Sequence, residues 1–211
     1  ERWGSVAFTL KLSFKGTQVL ESTQSYQSKT LINSGFFIYS IVEKGSTSRK
    51  FGKSIQWLIE ANLVTPVFNV SLPILPLEAY SKEDCFKIYL SDIGLLVSMY
   101  GFDTKTAILD NSLIGPAKGG VYENLVADML TKRGYKLYYY KRDDNSQEIE
   151  FLLSQNSKII PVEVKSGNSS TISLKNFISE FNPPYAYKLI NGNLGISGTK
   201  ITLPLYMVMF I

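Results

Sequence analysis

Gln147-Glu148-Ile149-Glu150-Phe151-Leu152-Leu153, then a polar gap from Ser154 to Lys158, then Ile159-Ile160-Pro161-Val162-Glu163-Val164-Lys165: two apolar runs around a short break have the pattern of a β-hairpin. If Asn156-Ser157 is a two-residue turn, Gln155 pairs with Lys158. Counting outward sets Glu150 across from Glu163, with Cβ atoms roughly 5 Å apart. Alternation sends Ile149, Phe151 and Leu153 to one face with Val162 and Val164, and Glu150, Glu163 and Lys165 to the other. Two like charges at that distance need a proton, a cation or a metal ion, and Lys165 supplies one positive charge against two negatives. A hard divalent cation such as Mg²⁺ takes one or two carboxylates and keeps several waters, so it would settle the conflict. The other reading is a solvated sheet face on which Glu and Lys alternate for solubility. The hairpin by itself leaves both open.

Composition narrows the chemistry around this hairpin. With 211 residues, 45% of them hydrophobic, and a mean hydropathy of +0.02, the chain has enough apolar surface for a real core. No apolar run has the length of a membrane span, and the chain opens at Glu1 without the charged n-region and apolar h-region of a signal peptide, so a cytoplasmic location without membrane partners is the expectation. The absence of an initiator Met suggests a fragment with a further module upstream. Cys85 is the single cysteine and histidine is absent. Those counts exclude disulfides, Cys/His zinc sites and Ser-His-Asp or Cys-His triads. What remains is chemistry by carboxylate, lysine and hard metal ion. A net charge of +4 and a pI near 9.0 mildly favour an anionic partner.

Upstream of the hairpin, Val6 to Phe14 alternates like a strand or extended arm, Val19 to Asn33 reads as a weak helix, and Phe36 to Val42 as a strand. Gly45 to Ser54 imitates a phosphate-binding loop, but the first glycine would have to stand at position 47, where the chain has Thr47. The segment reads better as a serine-capped helix with Phe51, Ile55, Leu58 and Ile59 inward. Arg49, Lys50 and Lys53 cluster at its start and are the candidate nucleic-acid contacts, against a solvated basic face as the plain alternative. Leu63 to Val70 and Phe86 to Leu90 are expected strands, with a proline-rich connection between them. Ser91 or Asp92 then caps a helix containing Leu95, Leu96 and Met99.

Phe102 to Lys118 reads as a loop, and a helix is expected from Val121 to Arg133 after Gly119-Gly120, with Glu123 in its first turn. There the helix dipole alone would explain an acid. A strand from Lys136 to Lys141 leads into the hairpin. Beyond it come a helix capped by Ser169-Ser170-Thr171 with Ile172, Leu174, Phe177 and Phe181 inward, a strand from Tyr185 to Ile190, and a final strand from Leu205 to Ile211. The order from Val121 is αβββαβ, a mixed α/β core.

This order, with Glu123 on the helix, Glu150 on one strand and Glu163-x-Lys165 on the next, resembles the core of the PD-(D/E)XK nuclease superfamily. The segments Phe86 to Leu96, Tyr122-Glu123-Asn124, Glu148 to Phe151 and Val162 to Gly167 together resemble the C-terminal domain, of unknown function, of a large family of prokaryotic AAA+ ATPases. The resemblance implies an α/β architecture in which residues 1–82 form an N-terminal arm and winged-helix-like segment and residues 83–211 a restriction-endonuclease-like αβββαβ core. It implies an upstream ATPase module carrying its own ATP site, Glu150 and Glu163 as ligands of Mg²⁺ or Mn²⁺, Lys165 as the group that positions the attacking water, and Glu123 as an auxiliary acid. Position 150 is usually Asp in the superfamily, and Glu150 adds one methylene. The expected function is a nuclease-like, nucleic-acid-associated domain, with DNA as the first partner. The alternative is a catalytically degenerate DNA-binding or assembly domain of the ATPase, and self-association into a homo-oligomer stays open under both.

Overall fold

The computed structural model describes residues 48–167 and 172–211. The arm, helix and strand expected before residue 48, and the Ser169-Ser170-Thr171 cap, lie outside the described residues, as do the side chains of Arg49 and Lys50. The described residues divide into two compact units, one of 48–66 with Ile88–Val121, the other of Val67–Lys87 with the described part of Tyr122–Ile211.

In the first unit, α1 (Ser48–Glu60) buries Ile55 and Leu58, half-buries Ile59, and exposes Lys53 and Gln56. It closes as Leu63 N–H donates to the Leu58 carbonyl at 3.0 Å while Asn62 takes a φ of +53°, a conformation Asn tolerates at helix ends. The cap of α2 (Ile93–Tyr100) is Asp92, whose Oδ1 accepts from Leu95 N–H at 2.8 Å.

Two expectations fail here. Part of the supposed loop is a helix, α3 (Phe102–Leu109), which buries no residue. Lacking a buried stripe, it has no apolar period to reveal it. The next helix, α4 (Gly115–Lys132), begins ahead of Val121 and contains Gly119 and Gly120. Its start signal is Pro116, whose missing N–H costs nothing in a first turn.

The second unit is built on an eight-stranded mixed sheet of order β2-β1-β3-β4-β5-β6-β8-β7. The strands are β1 (Val64–Val70), β2 (Ser81–Leu90), β3 (Tyr138–Lys141), β4 (Glu148–Gln155), β5 (Lys158–Lys165), β6 (Ala186–Ile190), β7 (Gly195–Ser197) and β8 (Lys200–Pro204). β3, β4 and β5 are antiparallel neighbours, whereas β1 with β3, β5 with β6 and β6 with β8 run parallel. Buried Asn69 fastens the end of the β1–β3 ladder: its Oδ1 accepts from Lys141 N–H at 2.9 Å and its Nδ2 donates to the Lys141 carbonyl at 3.3 Å. The order α4-β3-β4-β5-α5-β6 follows the sequence reading, where α5 is Ile172–Phe181.

The expected final strand is instead a 3-10 segment, Leu205–Phe210, and the last strands, β7 and β8, precede it. A short apolar run does not by itself separate strand from helix.

The hairpin has the expected register, with Gln155 opposite Lys158 and Phe151 opposite Val162. Its turn residues Asn156 and Ser157 have φ of +48° and +57°, the paired positive angles of a tight two-residue turn. The strict alternation expected for β4 is broken, however. Tyr138 pairs with Leu152 but Tyr140 with Ile149, so Glu150 and Phe151 both stand opposite the single Tyr139, a β-bulge. Ile149 and Leu152 accordingly pack into one cluster with Tyr138, Tyr140, Leu174, Phe177 and Ala186. Within it Phe177 meets Tyr140 edge-on at 5.8 Å and Phe181 at 4.7 Å between ring centroids. Ile172, expected inward, is exposed.

Two variants probe these features by urea denaturation. Ser157→Gly should stabilise the chain by about 1 kcal/mol, because glycine carries no steric cost at positive φ. Phe177→Ala should cost roughly 3–5 kcal/mol through lost burial and the cavity left behind.

Candidate functional site

Four strands and one helix bring charged side chains together in the second unit. β4 contributes Glu148 and Glu150, β5 Glu163 and Lys165, β3 Lys141, β2 Lys87, and α4 Glu123. The centre is Lys165, whose Nζ lies 3.0 Å from Glu150 Oε1 and 2.8 Å from Glu163 Oε1. The three groups assigned to one face by the hairpin register therefore do meet.

The plain alternative of a solvated face does not hold, since Glu150 and Glu163 are 8% and 1% exposed. Taking an ion out of water costs several kcal/mol unless close partners replace the lost hydration. Here one ammonium serves two carboxylates, and each acid keeps a second oxygen, Oε2, that is buried with no hydrogen-bond partner among the described residues. An ionised oxygen left in that state costs more than the roughly 1–3 kcal/mol of a neutral group.

The protonation balance of the site reflects this shortage of positive charge. Burial pushes the Glu150 carboxyl up to about 7; Glu123 and Glu163 add to the rise, and Lys165 and Lys87 oppose it. Burial alone would lower Lys165, but Glu150 and Glu163 outweigh it and hold the ammonium well above the usual lysine range. In both contacts the Lys165 ammonium is the donor and a carboxylate oxygen the acceptor.

A second lysine was not anticipated. Lys87, only 1% exposed, places Nζ 2.7 Å from Glu148 Oε1 and 3.9 Å from Glu123 Oε2. The same ammonium lies 5.1 Å from the centroid of the Tyr139 ring. Burial lowers its pKa, yet Glu123, Glu148 and Glu150 carry the net shift upward. The other oxygen of Glu148 sits 3.3 Å from Lys141 Nζ. Burial works against ionised Glu148, but Lys87 and then Lys141 hold its carboxyl below the usual range. Glu148 has a sequence signal in its Glu-x-Glu spacing with Glu150. Lys87 has a weaker one: a lysine inside Phe86-Lys87-Ile88-Tyr89, where a strand core was otherwise apolar.

Glu123 is not in a first turn. α4 starts eight residues earlier, at Gly115, so the helix dipole does not account for the acid; the nearby Lys87 ammonium does. Lys53 is exposed in α1, and the side chains of its expected companions Arg49 and Lys50 are outside the described residues.

The donor set decides which metal the residues fit. Among the described residues no group of three or more His, Cys, Asp or Glu side chains is placed to ligate a metal ion. A zinc or calcium cage is therefore not formed by them. Two buried carboxylates with unpartnered oxygens do fit an ion that uses one or two carboxylates and completes its shell with water and substrate, as Mg²⁺ does.

With this geometry in view, residues 118–207 match a domain of unknown function (DUF4143). Residues 17–106 match a second domain of unknown function (DUF8612). The first span holds Glu123, Lys141, Glu148, Glu150, Glu163 and Lys165, and the second holds Lys87. Comparison with curated proteins and with solved structures gives no match. Among the described residues no helix is long and apolar enough to cross a membrane.

Glu150 gives the site a pH signature in stability. Its carboxyl ionises near 4.5 when unfolded but near 7 when folded, so between these values the native state keeps a proton that the unfolded chain has lost. Its contribution is complete below the lower value and declines as pH rises through the upper one. Glu150→Gln should abolish that decline, gaining roughly 1–3 kcal/mol on wild type between pH 5 and 8 in urea titrations. Parallel curves for the two proteins would show that the carboxyl titrates normally.

Proposed function

We propose that this chain is the nuclease-like, nucleic-acid-associated domain of an AAA+ ATPase and hydrolyses phosphodiester bonds with Mg²⁺ at Glu150, Glu163 and Lys165. The observation that carries this reading is the pair of buried carboxylates on adjacent antiparallel strands, bridged by one lysine and each left with an unpartnered oxygen. Structural ion pairs normally end with their oxygens satisfied, so a surplus of buried acceptor capacity favours a ligand.

Glu150 and Glu163 would hold the ion, and Glu123 would stand by as the auxiliary acid. Bound there, Mg²⁺ supplies positive charge against the phosphodiester oxygens and lowers the pKa of a coordinated water. The chain's own groups do the rest. Lys165 keeps its proton and uses its N–H donors to orient the attacking water and to offset charge that accumulates on phosphorus-bound oxygens. Glu163, almost fully buried, fixes Lys165 at 2.8 Å and so sets where those donors point. DNA is the expected polymer, with Lys53 of α1 and its neighbours Arg49 and Lys50 as candidate backbone contacts.

A second reading rests on Lys165 itself, which already bridges both acids. On that reading the lysine replaces the metal, and the domain binds DNA or a protein partner without cutting.

Incubation of wild type, Glu163→Ala and Lys165→Ala with plasmid DNA, linear DNA and RNA in Mg²⁺ or Mn²⁺ separates the two. Hydrolysis requires cleavage by wild type and a loss of roughly 100-fold or more in each variant. No cleavage by wild type, or equal cleavage by all three, removes it. DNA retention in a shift assay that survives Glu163→Ala and needs no metal supports the second reading.

A further inference from the structure

Lys87 has an unusual position for a lysine that only supports a fold. Its side chain is 1% exposed on β2, yet its neighbours are acids from two other elements, Glu148 of β4 at 2.7 Å and Glu123 of α4 at 3.9 Å. Lysines are almost never fully buried unless paired, and a lysine at a surface-facing position would reach water along its flexible stem. Here the stem leads inward, and the ammonium also lies against the face of Tyr139. Around it and Lys165, four carboxylates (Glu123, Glu148, Glu150, Glu163) meet three ammonium groups (Lys87, Lys141, Lys165). With every one of these groups ionised, the seven described side chains together carry one negative charge.

That balance suits one divalent cation and not two. The unpartnered oxygens belong to Glu150 and Glu163, whereas Glu148 has an ammonium on each of its oxygens. A single added divalent ion turns the cluster mildly positive, which suits an approaching phosphate; a second would add two further positive charges and bring the cluster to +3 against buried lysines.

We propose that Lys87 is a built-in counter-cation of the acidic site, occupying the Glu123–Glu148 side in place of a second divalent ion, so that the site takes one divalent ion per chain. This rests on the metal reading of Glu150 and Glu163 given above. It goes further by assigning Lys87 as a positioning residue: it holds Glu123 and Glu148 and limits the site to one metal.

Mn²⁺ titration followed by electron paramagnetic resonance counts the ions directly on the full chain. Wild type should bind one Mn²⁺, as should Lys87→Arg, which keeps the charge. Lys87→Met removes the charge with similar bulk and should bind two. A purely structural lysine would change stability but not this count. Zero ions in all three proteins overturns the metal reading and this inference with it. One ion in wild type and still one in a folded Lys87→Met overturns the role of Lys87 alone. Should Lys87→Met not fold, two ions in wild type or in Lys87→Arg overturn the inference equally.

Discussion

Like charges on facing residues of neighbouring strands, buried rather than solvated, are the constraint to which the second unit answers. Glu150 and Glu163 have little water to stabilise them, and lysines of the same sheet compensate only in part. β5 supplies Lys165, β2 supplies Lys87, β3 supplies Lys141, and Glu150 holds a proton well above the usual range. Replacing one of these acids by an apolar residue of similar volume would satisfy the fold more simply. Their presence is therefore not explained by what they stabilise.

The apolar side of the same sheet shows how little the acids do for stability. Tyr138, Tyr140, Ile149, Leu152, Leu174, Phe177 and Ala186 form a continuous cluster between the strands and α5. Burying side chains of this size contributes about 1.5–3 kcal/mol each. That cluster can carry the cost of an incompletely neutralised site nearby, the usual division between a stable scaffold and a strained functional region.

Much of this was legible in the residues, and the exceptions have physical causes. Register and turn followed from the spacing between Leu153 and Ile159, because hairpin turn length fixes pairing. The meeting of Glu150, Glu163 and Lys165 followed from that register. α3 was missed because it buries nothing and so has no apolar period. The start of α4 was placed late because Gly119-Gly120 read as a break, while Pro116 was the stronger sign. Lys87 could not be placed from sequence because its partners, Glu123 and Glu148, lie 36 and 61 residues away in the chain. Only strand order brings such groups together. The bulge at Glu150-Phe151 is equally silent in sequence, since it reflects a mismatch between two ladders and not a residue preference.

That bulge acts mechanically as a lock. β4 is shared by two ladders, one in unbroken register with β5 and one shifted by a residue against β3. A strand carrying repelling charges would ordinarily lower its energy by sliding to another pairing. β4 has no such escape, because any slide that preserved one ladder's alternation would misalign the other, on the side where Ile149 and Leu152 are fully buried. The two acids are therefore held against each other by the packing of tyrosines on the opposite side of the strand. The pair cannot slide apart, so its repulsion is met where it stands, by the Lys165 ammonium and the raised proton affinity of Glu150.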